Sequence, residues 1–145
     1  MIPRLTVTLA LMGALSGYSQ TAQRPANSGF QALVKDAKSR IRETSAAQLQ
    51  DWLNSNSKPV LIDVREDGEW QAGHAATAIH IGRGVLEREI EAAVPDKSTR
   101  VVLYCHSGSR SALAADSLQK MGYTSVFSLA GGLPSYQAAG LPIQK

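Results

Sequence analysis

Apolar and polar positions along the chain fall into short runs that alternate between two periods. Val60-Leu61-Ile62-Asp63-Val64 is apolar on both faces, as a strand buried in a parallel sheet must be. Ala78-Ile79-His80-Ile81, Val101-Val102-Leu103-Tyr104 and Ser125-Val126-Phe127-Ser128-Leu129 read as three more strands. Between them the period changes to that of a helix. Glu66 to Gln71 is a short polar helix anchored by Trp70, and Val85, Leu86, Ile90 and Val94 mark an amphipathic helix stopped at Pro95. Leu113, Ala114, Leu118 and Met121 mark another, ended by Gly122, and Gly131-Gly132 turns the chain into a last helix with Leu133 and Tyr136. Upstream, Ser45-Ala46-Ala47-Gln48 has the form of a capping box and opens a helix whose buried side is Leu49, Trp52 and Leu53. Strands alternating with helices predict an α/β fold, a three-layer α/β/α arrangement around a mostly parallel sheet.

Residues 30–43 read as a helix in front of this domain, with Phe30, Leu33, Val34, Ala37 and Ile41 on one face and Lys35, Lys38, Arg40 and Arg42 off it. Its expected role is to cover the domain that residues 44–145 form. Residues 20–29 are polar, carry Pro25 and Gly29, and read as a linker. Residues 1–19 have the layout of a cleaved signal peptide: Arg4, an apolar run from Leu5 to Leu15, then small residues. The run is too short to span a bilayer, so no stable membrane span is expected. Tyr18 stands where a lipoprotein would carry its lipidated cysteine, which argues against a lipid anchor. Export to the periplasm or beyond is the expectation. The absence of acidic residues before Asp36 leaves an organellar leader as the alternative, with a cytoplasmic chain bearing a plain tail as the third.

With 145 residues and 43% apolar content, the chain is one domain of an ordinary globular protein. A net charge of +3 and a pI near 9.2 come from scattered basic residues. No Lys/Arg cluster interleaved with aromatics appears, which argues against nucleic acid and suits a small anionic substrate. One cysteine excludes an internal disulfide and any Cys-based zinc site. His74, His80 and His106 lack metal-ligand spacing, so neither a metal nor a cofactor is expected.

The candidate chemistry gathers at that cysteine. Cys105 ends the Val101–Tyr104 strand and is followed by His106, Ser107, Gly108, Ser109, Arg110 and Ser111, after which a helix begins. A glycine-bearing loop at the carboxyl edge of a strand, leading into a helix amino terminus, turns backbone N–H groups towards one point. Such a place binds anions and favours a thiolate. Arg110 adds a permanent charge, either to orient an anion or to brace the loop. Asp63 interrupts its buried strand near the carboxyl end and Arg65 follows two residues later. A lone carboxylate there is costly, so Asp63 is expected to pair with Arg65 or with backbone and to support the site.

These residues resemble the rhodanese family of sulfurtransferases in its single-domain form. The resemblance is carried by Asp63-Val64-Arg65-Glu66 with Glu69-Trp70 and Gly73-His74, by Ala78-Ile79-His80-Ile81 with Gly82-Arg83-Gly84-Val85-Leu86-Glu87, by Tyr104-Cys105 to Ser111, and by Gly131-Gly132-Leu133 through Gly140-Leu141-Pro142. It covers about Thr44 to Ile143. Ala75-Ala76-Thr77, Gly82 and Tyr136 depart from the usual pattern without touching the nucleophile. The resemblance implies a rhodanese-like five-stranded sheet and a thiosulfate sulfurtransferase reaction. In it, Cys105 takes the outer sulfur of thiosulfate or of a persulfide donor, is held as a persulfide by N–H groups of residues 106–110, and delivers the sulfur to a thiol or cyanide. An exported thiol also needs protection from oxidation, which points to a thiol-redox protein as a partner.

Two other readings share the fold. A phosphatase or arsenate reductase would carry a longer spacing between Cys and Arg, for a wider cradle. Here only four residues, His106 to Ser109, intervene between Cys105 and Arg110. A non-catalytic binding module of the same family would be expected to lose the cysteine, and Cys105 is present.

Overall fold

The computed structural model describes residue 26 and residues 28–145. The leader over residues 1–19 and nearly all of the expected linker lie outside the described residues. Thirteen elements follow in the order α1 (Ser28–Lys38), β1 (Arg42–Thr44), α2 (Ala46–Leu53), β2 (Val60–Asp63), α3 (Asp67–Ala72), β3 (His74–Ala75), β4 (Ile79–His80), α4 (Leu86–Ala93), β5 (Val101–Tyr104), α5 (Ser109–Lys120), β6 (Val126–Leu129), α6 (Gly132–Ala138) and β7 (Ile143–Gln144).

Five strands form one sheet in the order β1-β6-β5-β2-β4, and every pairing in it is parallel. The only antiparallel pair among the described residues, β3 with β7, is a separate two-stranded ribbon. The sheet is thus fully parallel rather than mostly so. Side-chain alternation splits the core between its two faces. Ile62, Val64, Val101, Leu103 and Cys105 face α4 and α5 with Leu86, Ile90 and Leu118. Leu61, Val102 and Tyr104 face the other layer with Leu49, Leu133 and Tyr136. β5, central in the sheet, is buried along its whole length, so the residue that ends it is delivered to a fixed point at the carboxyl edge.

The expected helix over residues 30–43 needs correction at both ends. It starts at Ser28, within the expected linker, and stops at Lys38. Arg42–Thr44 is then an edge strand, paired with Phe127–Leu129. A three-residue strand that reads R-E-T carries no apolar alternation to announce it. The face expected to cover the domain is only partly used. Ala37 is buried against the body, while Phe30 and Leu33 remain 42% and 61% exposed. The turn that follows α1 is tied to α5 by Arg40, whose Nε and Nη2 donate to the Asp116 carboxylate at 3.0 Å each. At α2, Ser45 is the amino-terminal cap, its hydroxyl accepting from the Gln48 N–H at 3.1 Å.

Candidate active site

Cys105 lies one residue beyond β5 and is 1% exposed. The chain then curls rather than leaving the sheet. Gly108 adopts φ +94°, a left-handed conformation that glycine enters without steric cost, and becomes the cap residue of α5. That turn aims the Gly108 N–H at the Cys105 Sγ, 3.1 Å away. The Ser111 hydroxyl lies 3.6 Å from the same sulfur and 2.8 Å from the hydroxyl of Ser128, which pins it from β6. The N–H groups of the first turn of α5, from Ser109 to Ser111, lack acceptors within the helix and carry its positive dipole end. Cys105 therefore faces fixed positive partial charge, the setting in which a thiolate is stable and a bound sulfur anion is held.

The loop is clamped from behind by α6. The Leu133 N–H donates to the Cys105 carbonyl at 2.9 Å. Gly132 (φ +58°) sits so close that a Cβ there would collide with the carbonyls of Cys105 and His106. His106 and Ser107 are exposed at the rim, whereas Gly108 and Ser111 are buried.

Arg110 is closed on a side chain that lies outside the loop. Its Nη1 and Nη2 donate to Glu69 Oε2 and Oε1 at 2.7 and 2.8 Å, a two-pronged pair across to α3. Glu69 Oε2 also accepts from the Glu66 N–H at 3.1 Å. α3 itself is held by Trp70, whose ring stacks on His74 with centroids 3.4 Å apart and lies parallel to His80 at 5.0 Å. Hydrogen bonds from Arg110 hold the Glu69 carboxyl at about 2, well below its ordinary value, against the opposing effect of partial burial.

Asp63 and Arg65 are paired. Arg65 Nε reaches both carboxylate oxygens at 3.0 Å, Nη2 reaches Oδ2 at 2.7 Å, and the Arg65 N–H reaches Oδ1 at 2.9 Å. Asp63 is fully buried and Arg65 is 4% exposed. The Tyr104 hydroxyl donates to Asp63 Oδ2 at 2.6 Å and accepts from the Ala75 N–H at 3.1 Å, while Arg65 Nη2 also donates to the Gly73 carbonyl at 2.7 Å. Burial pulls Arg65 down, but its hydrogen bonds and attraction to Asp63 outweigh this and raise it. Burial, reinforced by the bond to Asp63, pushes the Tyr104 hydroxyl up. This network joins β2, β5 and β3 beneath the loop and touches no reacting atom.

A cavity of about 340 Å³ opens beside the loop, its wall including Arg65, Glu69, His106, Leu133, Gln137 and Lys145. It brings Arg65 and His106 onto one wall, together with residues from α3, α6 and the chain end that the loop sequence does not reveal. Glu69 and Ser128 are two side chains at the site to which the sequence reading gave no role. Glu69 had a signal, since it stands three residues after Glu66 in a helix-opening pattern; Ser128 had none. Among the described residues no group of His, Cys, Asp and Glu is arranged to hold a metal ion. No helix among them is long and apolar enough to cross a membrane.

The depressed carboxylates carry a pH consequence. Glu69 and Asp116, the latter also held at about 2 by Arg40 and Lys120, are both lower in the folded chain than in the unfolded one. Their pairs therefore stabilise the fold fully above the ordinary carboxylate range, and the contribution fades as pH falls towards about 2. Circular dichroism melts should show the midpoint falling progressively over that acid window. A Glu69→Gln variant should lose part of this dependence.

Comparison with known proteins agrees with this geometry. The family model for the rhodanese-like domain matches residues 45–139. Thiosulfate sulfurtransferase PspE of Escherichia coli is 43% identical over 72 residues, which cover 50% of this chain and 68% of PspE. The probable adenylyltransferase/sulfurtransferase MoeZ of Mycobacterium tuberculosis is 35% identical over 89 residues, 61% of this chain, but the match spans only 23% of that longer protein. Among solved structures, the polysulfide-sulfur transferase homodimer of Wolinella succinogenes superposes with a TM-score of 0.69 at 30% identity, covering 81% of this chain and 88% of that one. RPA3614 of Rhodopseudomonas palustris, described as of unknown function and a possible tyrosine phosphatase, superposes with a TM-score of 0.73 at 30% identity, covering 88% of this chain and all of that one. With the sheet order, the loop and the matched segment in agreement, the chain belongs to the rhodanese-like domain family and is a sulfurtransferase relative.

Proposed function

We propose that this protein transfers sulfane sulfur through a persulfide on Cys105, taking it from thiosulfate or a persulfide donor and passing it to a thiol or cyanide. The observation that carries the reading is the aim of the Gly108 N–H at the Cys105 sulfur, 3.1 Å away, in a loop that α5 opens directly. A nucleophilic sulfur needs its anionic form stabilised, and backbone dipoles do this without reorganising during the reaction. The Cys105 thiolate attacks the outer sulfur of thiosulfate; the new S–S bond forms as the old one breaks, and sulfite leaves with the electron pair. A thiolate or cyanide acceptor then attacks the terminal sulfur and the Cys105 thiolate is regenerated.

The name of RPA3614 keeps a phosphatase reading in view. Against it stands the short spacing, with only His106 to Ser109 between Cys105 and Arg110, and an Arg110 already closed on Glu69 rather than open to a phosphate. Intact-mass spectrometry of the reduced protein after thiosulfate, with p-nitrophenyl phosphate hydrolysis run in parallel, tests both. The expected result is a gain of one sulfur mapped to Cys105 and no phosphate release. No gain with any sulfur donor overturns the proposal.

A further inference from the structure

Arg65 lines the cavity beside the Cys105 loop and Arg110 stands in the loop itself, and each is closed on a carboxylate. Arg65 is held by Asp63, and Arg110 is held by both oxygens of Glu69 at 2.7 and 2.8 Å. The four charges cancel in pairs. Apart from them, the ammonium of Lys145 is the one permanent side-chain charge on the cavity wall among the described residues. What remains at the loop is the partial charge of backbone N–H groups and a helix end, enough to hold one anionic sulfur. A donor with two negative charges brings a second charge for which Arg110 is the adjacent counter-ion, and Glu69 already occupies it. Glu69 cannot drift from this post easily, because the Glu66 N–H holds its Oε2 and the next residue, Trp70, is stacked on His74.

We infer that Glu69 is a specificity-determining residue: by neutralising Arg110 it disfavours dianionic sulfur donors such as thiosulfate relative to singly charged organic persulfides. The inference rests on the sulfurtransferase reading and adds the charge class of the preferred donor. Both donors undergo the same displacement at their outer sulfur. From thiosulfate the electron pair leaves on sulfite. From a persulfide monoanion it leaves on a thiolate, which takes a proton from water. Only the charge that must be accommodated beside Arg110 differs.

The test compares thiosulfate with the persulfide of 2-mercaptoethanol as donors, measuring kcat and KM for the wild-type chain, Glu69→Gln, and Glu69→Gln combined with Arg110→Gln. In Glu69→Gln, kcat/KM for thiosulfate relative to the persulfide should rise about tenfold, chiefly through a lower KM. Raising the ionic strength should shrink that gain, because it is electrostatic. The double variant should lose it, because the gain runs through the freed guanidinium. An unchanged donor ratio overturns the inference, as does a gain that survives in the double variant. Equal loss with both donors also overturns it, by showing that Glu69 only braces the loop. A wild-type chain inert to both donors is a different failure, that of the sulfurtransferase reading itself.

Discussion

Cys105→Ser should abolish sulfur transfer, lowering turnover by about 10³-fold or more, while the protein stays folded. Serine fits the same place, since its hydroxyl can accept from the Gly108 N–H and meet Ser111 as the sulfur does. Burial is retained and one atom shrinks, so the melting midpoint should move little. The chemistry does not survive the exchange. A serine hydroxyl is scarcely ionised near neutral pH, and the loop's partial charges are too weak to change that. Nor does oxygen form the persulfide on which the second half of the reaction depends. Single-turnover mass spectrometry with circular dichroism measures both effects. With no other cysteine in the 145 residues, sulfur transfer that persisted in a folded Cys105→Ser protein would refute a cysteine persulfide intermediate.

Asp63→Ala should be the most damaging substitution to stability, costing about 3–5 kcal/mol. The side chain is fully buried and takes hydrogen bonds from Arg65 through Nε, Nη2 and the backbone N–H, and from the Tyr104 hydroxyl. Its removal leaves a guanidinium that is 4% exposed without its counter-ion and a buried phenol without its acceptor. For a domain of this size the melting midpoint should fall by about 10–20 °C. Asp63→Asn, which still offers an oxygen to Tyr104, should fall less. Thermal denaturation of the two variants separates the ionic part of the loss from the hydrogen-bonding part. A fall of only a degree or two in Asp63→Ala would mean that Arg65 reaches solvent, and the network's supporting role would be lost.

Much of the architecture was legible in one dimension because the signals were local. Val60–Val64 and Val101–Tyr104 are continuous apolar runs of strand length, and only a strand covered on both faces needs such a run. The helix after the loop announced itself by spacing, and Asp63 announced its need of a partner by standing in a buried strand. The elements passed over were those with no local period. Arg42–Thr44 is polar and short, and becomes a strand only because β6 offers an open edge. His74–Ala75 and Ile143–Gln144 pair across most of the domain, and two residues cannot display an alternation. Phe30 and Leu33 misled in the opposite sense. Their helical spacing is genuine, but α1 packs beside α5 with Ala37 as its one buried residue, which leaves both large side chains exposed.

The turn of the loop around the proposed nucleophile was legible in the sequence alone, because a single cysteine, a glycine and a helix start within six consecutive residues leave little freedom in how the backbone turns. The state of Arg110 was decided only by tertiary structure. Along the chain it is an unassigned cation able to bind substrate or brace the loop. Glu69, 41 residues away, is the group that engages it in the fold, and no period or local pattern links the two positions. An ion pair is a matter of distance in space, and folding alone brings α3 to within 2.7 Å of the loop's arginine.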